Sequence, residues 1–494
     1  MPSGHPGQKV KPAAKSLMPL PESCPAPSWG DRYLGALALL VTALAAAIHE
    51  VFDATWTWIP GGLAFVFGFV LPQWRALVPA ARTLAAVTLV LGFGLTLTGL
   101  ITVDVLHRAL DQALYFAFFV TMLGILQDTA AQSPLIRRSG VVILSQPPGR
   151  RYSVLTLGGV QMGVLLNLGA LSLLGTMIAQ GVAQSRAKTE ARIADIRLRR
   201  MTLAMLRGFC TVPLWSPTSI SMPIVLMALP GLTWLDLAPY GIALAAVLLM
   251  LGWCVDRLSY QRPQAPADNA PWVRPLLPML VLIAAIPAIG LVVSAVMDLR
   301  MISAILISIP VVALIWQTVQ HHGAGQPRPV ALAARSLVTE TLPKLPNFRS
   351  EVVIFAASGA VAIILLPLID IDALGRQIAA LGLGEGVVMV IGFLWIFGMS
   401  FVGIGPIVTV SLLMGVLPNL PGLHFMPVQL ALMALTAWTL SVGMSPLSAA
   451  VRITGRAIGQ EPATLGMRWN GAYIVMASAL LIAILLLSDV VRPL

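Results

Sequence analysis

Two short elements in this sequence have the residue types to bind an ion or a small polar solute inside an apolar environment. One is Ser216-Pro217-Thr218-Ser219 and the other is Ser445-Pro446-Leu447-Ser448, and each interrupts a long apolar run. Proline removes a backbone N–H and clashes with the preceding turn, so a helix that carries it unwinds there. The two half-helices then end in unpaired N–H or C=O groups with partial charges. Such N-termini favour anions, while freed carbonyls and hydroxyls favour a small cation. The hydroxyls in reach are Thr211, Ser216, Thr218, Ser219 and Ser221 at the first break. At the second they are Thr436, Thr439, Ser441, Ser445 and Ser448.

This is chemistry of binding and release rather than bond-making. A membrane-embedded transferase needs acids, a histidine cluster or a large catalytic loop. Here the 6 histidines are scattered, with only His321 and His322 adjoining in a Gly/Pro loop. Three cysteines (Cys24, Cys210 and Cys254) show no metal spacing. The expectation is no enzyme, no metal centre and no cofactor beyond a coupling sodium. A channel is disfavoured by the lack of charged rings or a repeated filter sequence.

The elements that must position these breaks are membrane helices. Of 494 residues 57% are hydrophobic and 10% charged, and the mean hydropathy is +0.87. That composition belongs to an all-α polytopic membrane protein. The net charge of +11 reflects Lys and Arg in loops on one side, which excludes a nucleic-acid reading and fixes the topology. Residues 1–32 read as a disordered cytoplasmic tail and 33–57 as a first crossing and its loop. Residues 58–262 form a first repeat, 263–274 a linker and 275–494 a second repeat.

Two apolar stretches fit no simple crossing. Residues 153–182 have basic residues on both sides, yet about thirty residues are too few for two passages. A hairpin with its tip at Asn167-Leu168-Gly169 satisfies both ends. The following basic residues, from Arg186 to Arg200, read as a surface helix over 186–201, before a broken crossing over 202–229. Residues 386–417 read as a second hairpin, entered from the other side and turning at Gly403-Ile404-Gly405-Pro406. A second broken crossing follows over 426–458. Residues 332–349, with Lys344 and Arg349, read as lying along the cytoplasmic surface. The sum is about eleven crossings and two hairpins, with the N-terminus inside and the C-terminus outside.

One offset of 229 residues superposes Ser216, Pro217 and Ser219 on Ser445, Pro446 and Ser448 and carries the first hairpin onto the second. Since the hairpins open to opposite sides, the repeat is inverted. Interrupted helices at repeat-related positions point to a transporter's binding site. The candidate residues are Asn167, Gly169, Thr211, Ser216, Pro217, Thr218 and Ser219, with Gly403, Gly405, Pro406, Thr439, Ser445, Pro446 and Ser448. No Asp or Glu falls in the middle of a crossing, which favours sodium coupling or none over a proton relay.

Between about residues 58 and 487 this layout resembles the ion transporter superfamily, and most closely the divalent anion/sodium symporter fold. Its specific motifs are those around Ser216 and Ser445. The resemblance implies a secondary transporter of the cytoplasmic (inner) membrane, usually a homodimer, in which hairpins and broken helices move as one elevator-like body. It implies a small, anionic solute; a solute exporter or a cation/proton antiporter of the same fold is the alternative. The family's tips carry Ser-Asn-Thr, which neither tip here has, so the resemblance names no substrate.

Overall fold

The computed structural model describes residues 29–186, 190–260 and 273–491. Of the described residues 86% are helical, and none lies in a strand. Among the described residues ten helices are long and apolar enough to cross a membrane, and the chain is a polytopic helical membrane protein. The described helices begin with α1 (Trp29–Phe52), a composite stretch Thr55–Ala76, α2 (Pro79–Leu97), α3 (Val103–Gln132) and α4 (Pro134–Leu144). Next come α5 (Pro148–Leu166), α6 (Leu168–Arg186), α7 (Ala191–Cys210), α8 (Ser221–Ala228) and α9 (Trp234–Ser259). The second half contains α10 (Val273–Met297), α11 (Met301–Gly323), α12 (Arg349–Leu365) and α13 (Ile371–Ala380). It closes with α14 (Glu385–Val402), α15 (Pro406–Val416), α16 (Pro427–Met444), α17 (Ala449–Ile458) and α18 (Gly471–Val491).

Nine of the crossings expected from sequence are among the ten apolar spans. The span over 202–229 is absent because its helix is cut, and Gly471–Leu487 is a shorter apolar helix. The tenth is α14, expected as a hairpin arm. The centre of the bundle is α3, which is packed against α12. Gly359 allows this contact, since a methyl group there would lie 2.4 Å from Phe116.

Several expected boundaries change. Of the expected surface helix over 186–201, Arg186 ends α6, and the part from Ala191 runs without a break into the crossing expected from 202 as one helix, α7. Nothing between Ala191 and Arg207 breaks a helix: the stretch is mainly Ala, Leu, Ile, Met and Arg with no Pro or Gly. Its Lys188 neighbour lies outside the described residues. Residues 332–349 likewise run into the next crossing, forming one helical stretch Pro329–Leu368. Its π-helical turn at Leu337–Thr341 and 3₁₀ turn at Leu342–Phe348 absorb Pro343 and Pro346, which cannot supply helical N–H groups. Lys344 there holds Asp128 of α3 at 3.1 Å. The expected tail overlaps α1, which already begins at Trp29; residues 1–28, and 263–272 of the expected linker, lie outside the described residues.

Candidate functional site

At the position expected for the first tip the helix is interrupted. Asn167 alone separates α5 from α6, with φ of +49°, a conformation that Asn tolerates better than most residues. Both α5 and α6 pack against α7, where Met205 lies against Gly159 and Gly175, each eight residues from Asn167. Between α14 and α15 Gly403 takes φ of +94°, and the two helices meet where Gly392 faces Leu413. Glycine adopts that backbone at little cost. Gly169, Gly403 and Gly405 are exposed.

Each break is tied to the last turn of a helix, α5 at the first and α14 at the second. Thr218 Oγ1 donates to the Val164 carbonyl at 3.3 Å, three residues before Asn167. Ser445 Oγ donates to the Ser400 carbonyl at 2.7 Å, three residues before Gly403. At the first break Ser216 Oγ lies 2.9 Å from Thr218 Oγ1, Ser219 pairs with Ser221, and Ser221 donates to the Pro213 carbonyl. Thr211 donates back to Gly208, the ordinary fate of a helical hydroxyl. At the second break Ser448 caps α17 by accepting from Val451 N–H at 3.2 Å and donates to the Val442 carbonyl. Pro217 is buried and Pro446 half-buried. Thr439 Oγ1, fewer than two turns before Ser445, is buried with no hydrogen-bond partner.

The halves interlock crosswise. Short helix α8 of the first half packs on hairpin arm α15 of the second, and α17 packs on arm α6 of the first. A methyl group at Gly175 would stand 2.9 Å from Ala457, so α6 and α17 are in close contact. The two breaks also meet. Gly443, two residues before Ser445, faces the Cys210 thiol that ends α7; a methyl group at Gly443 would stand 3.3 Å from that sulfur. Thr211 therefore adjoins the second break, while Gly169, Gly405 and Pro406 stay outside this junction at the tips.

At the junction lies a residue that the motif-based reading overlooks. Arg207, 3% exposed, is one helical turn before Thr211. Its Nε donates to Asn470 Oδ1 at 2.9 Å, and Nη1 donates to the Tyr152 hydroxyl at 3.0 Å and the Gly252 carbonyl at 3.1 Å. The guanidinium also stacks 4.4 Å from the Tyr473 ring centre. Asn470 in turn donates to the Gly443 carbonyl at 3.0 Å, so one side chain links the cation to the second break. All these partners are neutral. A buried guanidinium held only by neutral groups keeps a positive field that an anion can use. The signal for it in the sequence is an arginine deep inside an expected crossing, where ionisable groups are costly and functional.

No protein-family model matches the chain, and no curated protein matches it in sequence. Among solved structures, it is similar to the YdaH transporter of Alcanivorax borkumensis, described as having an unusual topology. The identity is 15% and the TM-score 0.46, over 74% of this chain and 84% of that one. A likeness at that level assigns no residue a role.

Proposed function

We propose that this chain is a secondary active transporter that moves a small anionic solute across the cytoplasmic membrane by elevator-type alternating access. The observation that carries the reading is the junction of two interrupted helices, Cys210 against Gly443, beside a buried arginine with neutral partners. Broken-helix ends supply N–H dipoles and carbonyls at one place, and Arg207 supplies the charge.

The matched tethers, Thr218 to Val164 and Ser445 to Ser400, support two inverted repeats, as does the crosswise packing of α8 on α15 and α17 on α6. In this reading the hairpins, α7, α8, α16 and α17 form the moving body, and α3 with α12 forms the scaffold of a homodimer. Sodium is the coupling ion, held by break carbonyls and by the unpartnered Thr439 hydroxyl together with the Ser216, Ser219 and Ser448 region.

The test is a thermal-shift and binding screen on the purified chain across carboxylates, oxyanions and amino acids, each at low and high sodium. An anion that stabilises the protein more strongly at high sodium is expected. Thr218→Val and Ser445→Ala should each weaken it about tenfold, the worth of one hydrogen bond at a preorganised site. A panel without any stabilising anion, or variants that bind it like the wild type, would overturn the reading.

A further inference from the structure

Away from the breaks, α5, α7 and α9 enclose a cavity of about 500 Å³. Four arginines line it, Arg151, Arg192, Arg197 and Arg200, and among the described residues its lining holds no carboxylate. Asp256 engages Arg200 through both carboxylate oxygens, at 2.9 and 2.6 Å, and Arg200 also lies 4.8 Å from the Tyr260 ring centre. The others have weaker satisfaction. Arg151 Nε donates to the Gln146 carbonyl. Arg197 reaches Ser185 at 3.4 Å, and its Nε is buried without a partner. Burial and the neighbouring charges of Arg197 and Arg200 pull the Arg151 guanidinium down to about 10, so this cluster repels itself.

Two helix N-termini add to the same field. The first turn of α5, at Pro148 and Arg151, and that of α7, at Arg192 and Ile193, both border the cavity. Each contributes about half a positive charge. The end of α9 at Ser259 contributes a partial charge of opposite sign, too small to offset four cations. Leu155, Ile196 and Met201 make the remaining wall apolar. Tyr152 lines the cavity with its hydroxyl taken by Arg207, and among the described lining residues there is neither Arg207 nor a residue of either break. An empty cluster of this kind is unfavourable, and an oxyanion of high charge density with several acceptor oxygens relieves it.

We propose that this cavity binds a phosphate group between Arg151, Arg197 and Arg200, with Arg192 at its mouth. The phosphate is carried either by an anionic phospholipid, whose first acyl carbons meet the apolar wall, or by a soluble phosphate ester. Basic pockets between membrane helices on the positively flanked side suit the former. The site is independent of the transport reading, since none of its four arginines contacts either break.

The full chain is placed in phosphatidylcholine nanodiscs with or without phosphatidylglycerol. Retained phospholipid is read by native mass spectrometry, and melting temperature is read with and without inorganic pyrophosphate. Selective retention of phosphatidylglycerol identifies the lipid source; a pyrophosphate-dependent rise in melting temperature in phosphatidylcholine alone identifies the soluble one. Either effect should weaken about a hundredfold in R151Q/R197Q, which removes two charge-assisted contacts. R192Q, at an exposed position that leaves folding untouched, should weaken it about tenfold. R328Q, an exposed arginine outside the cavity, should leave it unchanged. Absence of both effects in the wild type, equal binding in R192Q, or an equal loss in R328Q would overturn the proposal.

Discussion

Replacing Arg207 with Met is expected to abolish anion binding and transport while leaving the protein folded. The guanidinium is 3% exposed and its partners are Asn470, Tyr152, the Gly252 carbonyl and the Tyr473 ring. Two effects oppose each other in the stability of the variant. Each lost charge-assisted hydrogen bond costs about 1.5–3 kcal/mol. Against that, the buried cation no longer has to be desolvated, a penalty of several kcal/mol. Methionine fills much of the volume and tolerates irregular packing, so the net change in stability is small. Binding has no such compensation, because the field that attracts the anion is gone. The ligand identified by the screen should bind R207M more than about a hundredfold more weakly, the loss of a buried ion pair. Arg207→Lys should recover part of this, keeping the charge but not the planar fork that spans Asn470 and Tyr152. The measurement is the affinity in monodisperse protein, with the melting temperature alongside. Full binding by a folded R207M would show that the arginine merely holds α7 to α9 and α18.

How much of this site is legible in the sequence depends on whether a residue acts through its chain neighbours or across the fold. The breaks at Ser216 and Ser445 are legible because proline disrupts a helix wherever it falls. The interruption at Asn167 is legible because Asn and the nearby Gly169 favour a turn inside thirty apolar residues. The continuity of α7 escapes a reading by charge, for a physical reason. Its arginines suggest a surface segment, although the unbroken run of helix formers from Ala191 argues for one rod. Arg207 is masked as one more arginine after Arg192, Arg197, Arg199 and Arg200. Asn470 is out of reach altogether, since it is 263 residues from Arg207 along the chain and meets Gly443 only after the second half folds. The placement of Gly169 and Gly405 at exposed tips, outside the junction, likewise comes from packing and not from the turn propensity that reveals them.

The second large effect is expected from two glycines that let a neighbouring helix pass directly over each break. A methyl group at Gly241 of α9 would stand 2.1 Å from the Leu214 carbonyl oxygen, and one at Gly466 would stand 2.2 Å from that of Met444. Both obstacles are backbone atoms at the points where α7 and α16 are interrupted, so they cannot rotate away as a side chain can. Gly241→Ala and Gly466→Ala must push the break aside. Such overpacking costs about 1–3 kcal/mol and sometimes more, and here it displaces the very carbonyls that the transport reading uses. Each alanine should therefore abolish ligand binding as well as lower the melting temperature. Gly290→Ala separates the two consequences. Its methyl would meet Ile305 at 2.1 Å, an equally close approach, but to a side chain between α10 and α11 and not to the backbone of either break. It should lower the melting temperature while the folded protein binds normally. If G241A and G466A behaved like G290A, losing stability but keeping affinity, the break carbonyls would not contribute to the site. A loss of affinity in G241A and G466A alone would tie function to backbone geometry at both breaks at once, as a pair of repeat-related halves requires.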